Sequence, residues 1–243
     1  MTQVTIVGGG MAGLSAALRL AGRGFEVTVF EQARHVGGQF GVIQTEDGRL
    51  HEHCYHMFLN WYNNFWDIVD ELGVRDNFVP RSSIQFLERG KWPETTRLTD
   101  VGSPKTNLQN MMSGVLPVPD MFIYGYALID LLSQPFNRDR YRDQYSVNGF
   151  MASRGYATDR AAREFQRSLA KAFACPPYRT SAVSYKTFLK YGFRHPEPMM
   201  WVLEGDCYNH FLKHLVARLA DLGCTVKLAC EVKAIELDDQ GVA

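Results

Sequence analysis

The 243-residue sequence has no excess of charge of either sign, because 26 lysine and arginine residues balance 26 aspartate and glutamate residues. It also lacks any long run of basic residues. The protein therefore has no net positive charge to attract a phosphate backbone, and nucleic acid is not expected as a partner. With 46% hydrophobic and 21% charged residues the composition is that of a folded protein, which excludes the disordered and fibrous classes.

Cysteine is scarce and follows no pattern. The five cysteines are odd in number, include no C-x-x-C pair and match no zinc spacing. Neither a disulfide framework nor a metal site is expected from the sequence, and a reducing compartment is the simplest interpretation. The positions are Cys54, Cys175, Cys207, Cys224 and Cys230.

Long apolar runs are absent as well. The most apolar stretch, residues 121–129, is far shorter than the roughly 20 residues that span a bilayer, and the first residues lack the features of a signal peptide. A cytoplasmic protein is expected. Peripheral contact with a membrane stays open, because the aromatic and methionine-rich residues 111–126 could touch a lipid surface, line an apolar tunnel or form ordinary core.

The first 31 residues alternate between strand and helix patterns. Residues 4–7 and 27–30 have the composition of buried strands, and residues 14–23 have that of a helix. This order predicts a β-α-β unit.

A glycine fingerprint, Gly8-x-Gly10-x-x-Gly13, lies where the first strand meets the helix, and Glu31 ends the second strand. Gly8 permits a tight turn, Gly10 lets the backbone approach a pyrophosphate, and Gly13 lets the helix pack closely on the strand. Glu31 can bond a ribose diol and would repel a 2′-phosphate, which favours FAD or NAD over NADP. The fingerprint itself is shared by FAD and NAD sites.

Periodicity and turn residues predict the remaining elements. Helices are predicted over residues 60–72, 121–132, 159–173 and 208–222. Hairpins are predicted over residues 40–53 and 84–92, and strands over residues 225–230 and 232–237. Residues 238–241 have turn chemistry with only two residues after them, so the sequence is expected to be the N-terminal part of a longer protein.

The glycine pair Gly37-Gly38 follows shortly after Glu31 and completes a longer signature. Residues 4–39, VTIVGGGMAGLSAALRLAGRGFEVTVFEQARHVGGQ, closely resemble the N-terminal signature of FAD-dependent amine oxidases and phytoene (carotenoid) desaturase-like oxidoreductases. Residues 47–58 and 61–73, and later Glu204-Gly205 and Val232-x-x-Ile235, are similar to further segments of the same family. The resemblance covers roughly residues 1–75 and 198–240.

The resemblance implies an α/β architecture with an inserted domain. A Rossmann-type FAD/NAD(P)-binding domain would comprise residues 1–58 and 198–243, and a mostly helical substrate or cap domain would comprise residues 59–197. The implied cofactor is FAD, and no metal is implied. The cofactor-binding residues would be Gly8, Gly10, Met11, Ala12, Gly13, Glu31, Gln32, Gly37, Gly38, Gln39, His56 and Val232. A structural role for His56 is the alternative.

The sequence departs from the family pattern at three positions. Gln39 replaces a common basic residue after the glycine pair, Ala33 stands where an arginine is frequent, and Cys54 replaces a glycine. Arg34 or Arg19 could substitute for the missing cationic contacts to FAD.

The activity implied by the resemblance is removal of hydride from a lipophilic, isoprenoid-type substrate by an FAD-dependent oxidoreductase. No catalytic side chain is predicted, because the flavin itself performs the difficult step. Amine oxidation, polyene isomerisation and a non-catalytic dinucleotide-binding module stay as alternatives. The expected partner is an apolar small molecule, and the electron acceptor is unknown. An NAD-dependent dehydrogenase is disfavoured, since Gly37-Gly38 and the hairpin interrupt its third β-α unit.

Overall fold

A computed structural model describes residues 2–54, 56–81, 83–87, 95–99, 118–133, 145–159, 175–194 and 200–236, and the single positions 109, 112, 162 and 198. The chain divides into two compact units. The first comprises Met1–Pro80 with Met200–Ala243, and the second comprises Arg81–Met199.

The first unit is α/β and its elements come from both ends of the chain. Before the second unit they are β1 Gln3–Val7, α1 Met11–Ala21, β2 Glu26–Phe30, β3 Val42–Gln44, β4 Leu50–Glu52, β5 Met57–Leu59, α2 Asn63–Glu71 and β6 Phe78–Arg81. The second unit contains β7 Ser83–Leu87, β8 Thr95–Thr99, α3 Val118–Ser133, α4 Val147–Ala152 and α5 Ala182–Arg194. The first unit then resumes with β9 Met200–Leu203, a π-helical turn Tyr208–Leu212, α6 Lys213–Asp221 and β10 Thr225–Lys227.

The predicted β-α-β unit is present as a parallel sheet of order β1-β2-β10. Val4 lies opposite Val27 and Ile6 lies opposite Val29, and Val226 joins Val29 from the other side. Helix α1 covers the sheet with residues spaced at i, i+3, i+4 and i+7, which is the spacing of one helix face. These buried residues are Leu14, Ala17, Leu18 and Ala21.

A cluster of aromatic rings ties residues 57–80 to the first unit. The rings of Phe58 and Phe65 stack with centroids 4.6 Å apart, and Phe78 lies edge-on to Phe58 at 5.1 Å. Trp66 is buried and its indole N–H donates to the Leu59 carbonyl at 2.9 Å. The first unit therefore extends to Pro80, whereas the sequence-based division ended its first segment at residue 58.

Two further elements differ from the predictions. Helix α2 begins at Asn63 rather than at residue 60, because the Tyr62 N–H closes a turn on the Leu59 carbonyl at 3.0 Å. The helix predicted over residues 208–222 is present, but its first turn, Tyr208–Leu212, is π-helical.

The strand predicted over residues 232–237 is wrong for the described residues 232–236, which form no strand. Strand β10 ends at Lys227, and Ala229 then adopts a left-handed φ of 52°. That conformation turns the chain out of the sheet, although the N–H groups of Ala229 and Cys230 still bond to carbonyls after β2.

The second unit joins helices to a β-hairpin, β7–β8, that is longer than the hairpin predicted over residues 84–92. Helices α3, α4 and α5 share a small core that includes Ala127, Leu131, Phe150 and Tyr185. The helix predicted over residues 159–173 falls largely outside the described residues. Within the described ranges, no helix is long and apolar enough to cross a membrane.

Candidate dinucleotide-binding site

The glycine loop between β1 and α1 has a shape that only glycine allows at two positions. Gly8 has a φ of 102°, in the region that side chains rarely adopt, and its N–H donates to the Phe30 carbonyl at 2.8 Å. A Cβ at Gly13 would overlap the carbonyl oxygen of Gly8. The loop therefore turns tightly and holds helix α1 against the strand, as the fingerprint predicts.

The N-terminus of α1 has backbone N–H groups that no intrahelical bond and no side-chain cap uses. Gly10 is the cap residue and has no side chain to cap the helix, and the first intrahelical bond runs from Leu14 N–H to the Gly10 carbonyl at 2.9 Å. The N–H groups of Met11, Ala12 and Gly13 precede that bond. Such groups carry the positive end of the helix dipole and suit a pyrophosphate.

The Glu31 carboxylate is buried and braces the loop. One oxygen accepts the Gly9 N–H at 2.6 Å and the other accepts the Ala33 N–H at 2.8 Å. A carboxylate has about four lone-pair positions, so acceptor capacity remains for a ribose hydroxyl. The site at Glu31 thus fits the ribose of a dinucleotide, and the α1 terminus fits its phosphates.

The second glycine pair packs on the first loop. The Gly37 N–H donates to the Gly9 carbonyl at 2.8 Å, and a Cβ at Gly38 would lie only 3.2 Å from the Gly10 Cα. Gly37 has a φ of 106°, and a Cβ there would lie 2.7 Å from a methyl carbon of Leu212. These two glycines therefore allow close contact between backbones that larger residues would separate.

The structure also brings the segment before Val232 to the site. The Cys230 N–H donates to the Glu31 carbonyl at 2.9 Å. The backbone two positions before Val232 therefore lies beside the end of β2. Gln32 and Gln39 are exposed. Their roles toward a cofactor stay predictions.

Arg19 and Arg34, the two arginines that could replace the missing cationic contacts to FAD, are not placed at the glycine loop. The Arg19 guanidinium lies 2.6 Å from the Glu71 carboxylate, so α2 already holds it. Arg34 lines an open cleft of about 600 Å³ together with apolar residues of the β3–β4 hairpin, such as Val42 and Ile43. No glycine of the loop lines that cleft.

His56 lies beside Phe40, Glu52 and Cys207. Its ring is 4.6 Å from that of Phe40, which ends the turn that starts at Gly38. Its ring nitrogen, the Cys207 Sγ and a Glu52 carboxylate oxygen all lie within 4.8 Å of one another. Glu52 also accepts the Cys207 backbone N–H at 2.7 Å.

Burial dominates the electrostatics of this cluster. It lowers the pKa of His56, with a smaller opposing effect from Glu52. Burial also raises the pKa of the Cys207 thiol, and the Glu52 carboxylate adds to that increase. Sequence reasoning missed Cys207, because 155 positions separate it from Glu52 and no motif joins them.

Comparison with known proteins agrees with this geometry. Residues 6–72 match the profile of the NAD(P)-binding Rossmann-like domain. The chain is 24% identical to 15-cis-phytoene desaturase of Synechococcus elongatus and 26% identical to that of Arabidopsis thaliana, in each case over 98% of its length. A probable zeta-carotene desaturase of S. elongatus is 33% identical over 89 residues, which are 36% of this chain and 18% of that protein.

The chain is similar in sequence to phytoene and zeta-carotene desaturases. The predicted resemblance and the predicted Rossmann-type fold are thereby confirmed. The chain spans about half the length of the curated relatives that it matches along its whole length, 51% of the S. elongatus enzyme and 44% of the A. thaliana enzyme.

Solved structures share the fold of this chain. An oxidoreductase from Methanosarcina mazei superposes with a TM-score of 0.68 at 19% identity, covering 98% of this chain and 54% of that one. A putrescine oxidase bound to putrescine superposes with a TM-score of 0.65 at 21% identity, covering 94% of this chain and 51% of that one. At these identities the likeness concerns the fold alone.

Proposed function

We propose that this protein is an FAD-dependent oxidoreductase that removes hydride from a lipophilic, isoprenoid-type substrate. The observation that carries the proposal is the joining of three features in one site: the uncapped N-terminus of α1, the buried Glu31 carboxylate and the Gly37-Gly38 pair packed on Gly10. When bound, FAD supplies the hydride acceptor.

Each part of the site would have a separate task in holding FAD. The N–H groups of Met11, Ala12 and Gly13 would receive the pyrophosphate, and Gly10 would let it approach the backbone. Glu31 would accept a hydrogen bond from a ribose hydroxyl while it keeps its hydrogen bonds from the Gly9 and Ala33 N–H groups. Gln32, Gln39, His56 and Val232 complete the proposed set, with Val232 toward the adenine end and His56 toward the flavin end. Because the flavin carries the chemistry, the protein's part is binding, orientation and exclusion of water.

Sequence similarity favours dehydrogenation of an apolar carbon skeleton over oxidation of an amine. The desaturases match this chain over 98% of its length, and their names specify phytoene as the substrate. The putrescine oxidase shares the fold at 21% identity, which carries no information on substrate. Amine oxidation, polyene isomerisation and cofactor binding without turnover are therefore outcomes of a substrate screen rather than equal candidates.

We also propose peripheral contact with a lipid surface through one face of helix α3. Val118, Phe122, Tyr126 and Ile129 recur at helical spacing, and each is more than half exposed. A polyene such as phytoene dissolves in lipid rather than water, so an enzyme acting on it gains by touching the membrane.

Gly10→Ala tests the cofactor proposal with little risk to folding. A Cβ at Gly10 meets nothing closer than 3.9 Å, and its φ of −74° suits alanine. Stability should therefore stay within about 1 kcal/mol of the wild type, whereas affinity for FAD should fall by roughly 100-fold because the methyl group occupies the phosphate's approach.

The matched control is Gly125→Ala in helix α3, where an added Cβ meets nothing within 4 Å. It should leave FAD affinity unchanged. Titration of FAD followed by flavin fluorescence measures the affinities. Equal FAD affinities for the wild type and Gly10→Ala would contradict the proposed position of the pyrophosphate.

A further inference from the structure

Glu52, His56 and Cys207 bring three different metal-ligating groups together inside the first unit. Glu52 ends β4, His56 precedes β5, and Cys207 precedes the π-helical turn. Their carboxylate oxygen, ring nitrogen and Sγ atoms lie within 4.8 Å of one another. Cys207 is 1% exposed, and Glu52 and His56 are partly buried, so the cluster lies partly below the surface.

One ring nitrogen of His56 lacks a hydrogen-bond partner among the described residues. This atom, Nε2, is buried. A buried polar atom without a partner costs free energy, and native structures rarely keep one without a reason. Phe40 packs against the ring at 4.6 Å and offers no polar atom.

The other two groups, Glu52 and Cys207, already contact each other. The Glu52 Oε1 atom accepts the Cys207 N–H, and the Cys207 thiol also hydrogen-bonds to the Glu52 carboxylate, so the carboxylate is fixed beside the sulfur atom. An exposed acidic patch would have no such anchoring. The cluster thus combines an unpartnered imidazole nitrogen, a thiol and a positioned carboxylate.

Imidazole nitrogen, thiolate and carboxylate together are a ligand set for zinc. Zinc binds these atoms at about 2.0 to 2.3 Å in a tetrahedron, so its ligand atoms lie roughly 3.3 to 3.7 Å apart. The two ligand atoms that lie farthest apart would have to approach each other by about 1 Å to reach that spacing. Rotation of the side chains can bring them this much closer. Three protein ligands leave a fourth position for water.

We propose that Glu52, His56 and Cys207 form a zinc site in which a ring nitrogen of His56, Cys207 Sγ and a Glu52 carboxylate oxygen are the ligands. The metal would join the β3–β4 hairpin to the start of the helix that follows Cys207, a link between segments 155 positions apart. Of the residues proposed to contact FAD, this site takes His56, which would then bind the metal instead of lying toward the flavin; no residue of the glycine loop takes part.

Cobalt titration of the 243-residue chain tests the proposal, because cobalt reports thiolate ligation in its spectrum. We expect one cobalt ion per chain, a thiolate-to-cobalt charge-transfer band, and loss of that band when one equivalent of zinc is added. Cys207→Ser and His56→Gln should each weaken cobalt binding by roughly 100-fold, since each removes one of three ligands.

Two cysteine variants serve as controls. Cys224→Ser removes the other buried thiol and Cys175→Ser removes a partly buried thiol of the second unit, and both should keep the band. Absence of the band in the wild type, or its persistence in Cys207→Ser, would overturn the proposal and leave an ordinary hydrogen-bonded cluster. Far-UV circular dichroism confirms that each variant folds, and His56→Gln tests the site should Cys207→Ser fail to fold. The assay uses protein without FAD, so failure of the FAD proposal does not affect it.

Discussion

Glu31 connects the glycine loop to the end of β2 through one buried carboxylate. It is 8% exposed, and its two oxygens accept the N–H groups of Gly9 and Ala33. Both bonds join a charged acceptor to backbone donors, and such bonds are stronger than neutral ones. The loop is thus held in its dinucleotide-binding shape by a residue that can also bind the dinucleotide.

Glu31→Gln should destabilise the protein and weaken FAD binding together. The amide nitrogen would face a backbone N–H, so one buried donor loses its acceptor, at a cost of about 1 to 3 kcal/mol in the free energy of unfolding. Urea unfolding measures that change, and flavin fluorescence measures the affinity. The control is Glu26→Gln on the same strand, where the exposed carboxylate accepts a 3.2 Å bond from the Gln3 side chain. Equal stability losses in the two variants would contradict the role assigned to Glu31.

Single residues of the glycine loop were predictable because their spacing translates directly into backbone geometry. Gly8 needs a positive φ, Gly13 needs to lack a Cβ, and both requirements are local to the turn. The pairing of Glu52 with Cys207 was not predictable. It depends on how distant segments pack, and no periodicity in either segment specifies that contact.

At the scale of elements, the β3–β4 hairpin depends on its turn. Asp47 accepts hydrogen bonds from the side chains of Arg49 and Thr45, which hold its pKa at about 2 instead of its ordinary 3.8. Because the pKa is lowered in the folded state, the contribution of Asp47 to stability is present above about 4. It is lost as the pH falls through about 2.

Titration of the Asp47 carboxyl carbon by NMR should therefore give a midpoint near 2. Arg49→Gln removes the largest cause of the shift and should move the midpoint upward toward 3.8. A midpoint that is the same in the wild type and in Arg49→Gln would show that the Arg49 side chain does not hold the turn in solution.

Element boundaries show where sequence patterns stop being informative. The periodicity of residues 208–222 predicts a helix correctly, but hydrophobic spacing cannot reveal the π-helical first turn. The composition of residues 232–237 favours a strand, yet the left-handed Ala229 takes the described part of this segment out of the sheet. β-propensity is overridden here by the path of the chain after β10.

For the molecule as a whole, the division into units was harder to predict than the fold class. The aromatic residues of α2 and β6 have the pattern of core residues, but a pattern does not say which core they join. Their contacts with Phe58 and Phe211 place them in the first unit. The Rossmann-like fold was recognisable because its diagnostic residues lie in the first 38 positions.

The exposed face of α3 gives a prediction for the behaviour of the whole protein. The wild type should float with phosphatidylcholine vesicles, and Phe122→Ser combined with Ile129→Ser should lower the bound fraction several-fold, because two apolar side chains no longer enter the lipid. Ile235→Ser, which changes an exposed isoleucine of the first unit, is the matched control and should bind as the wild type does. Equal binding of all three proteins would contradict membrane contact through α3.

Identification of the bound cofactor tests the proposed function most directly. The purified protein is reconstituted with FAD and freed of excess, and the cofactor released by denaturation is then identified and counted by chromatography and visible absorbance. We predict about one FAD per chain in the wild type and far less in Gly10→Ala at the same concentration. Recovery of NAD, or of no cofactor after reconstitution with FAD, would contradict the assignment of this site to FAD.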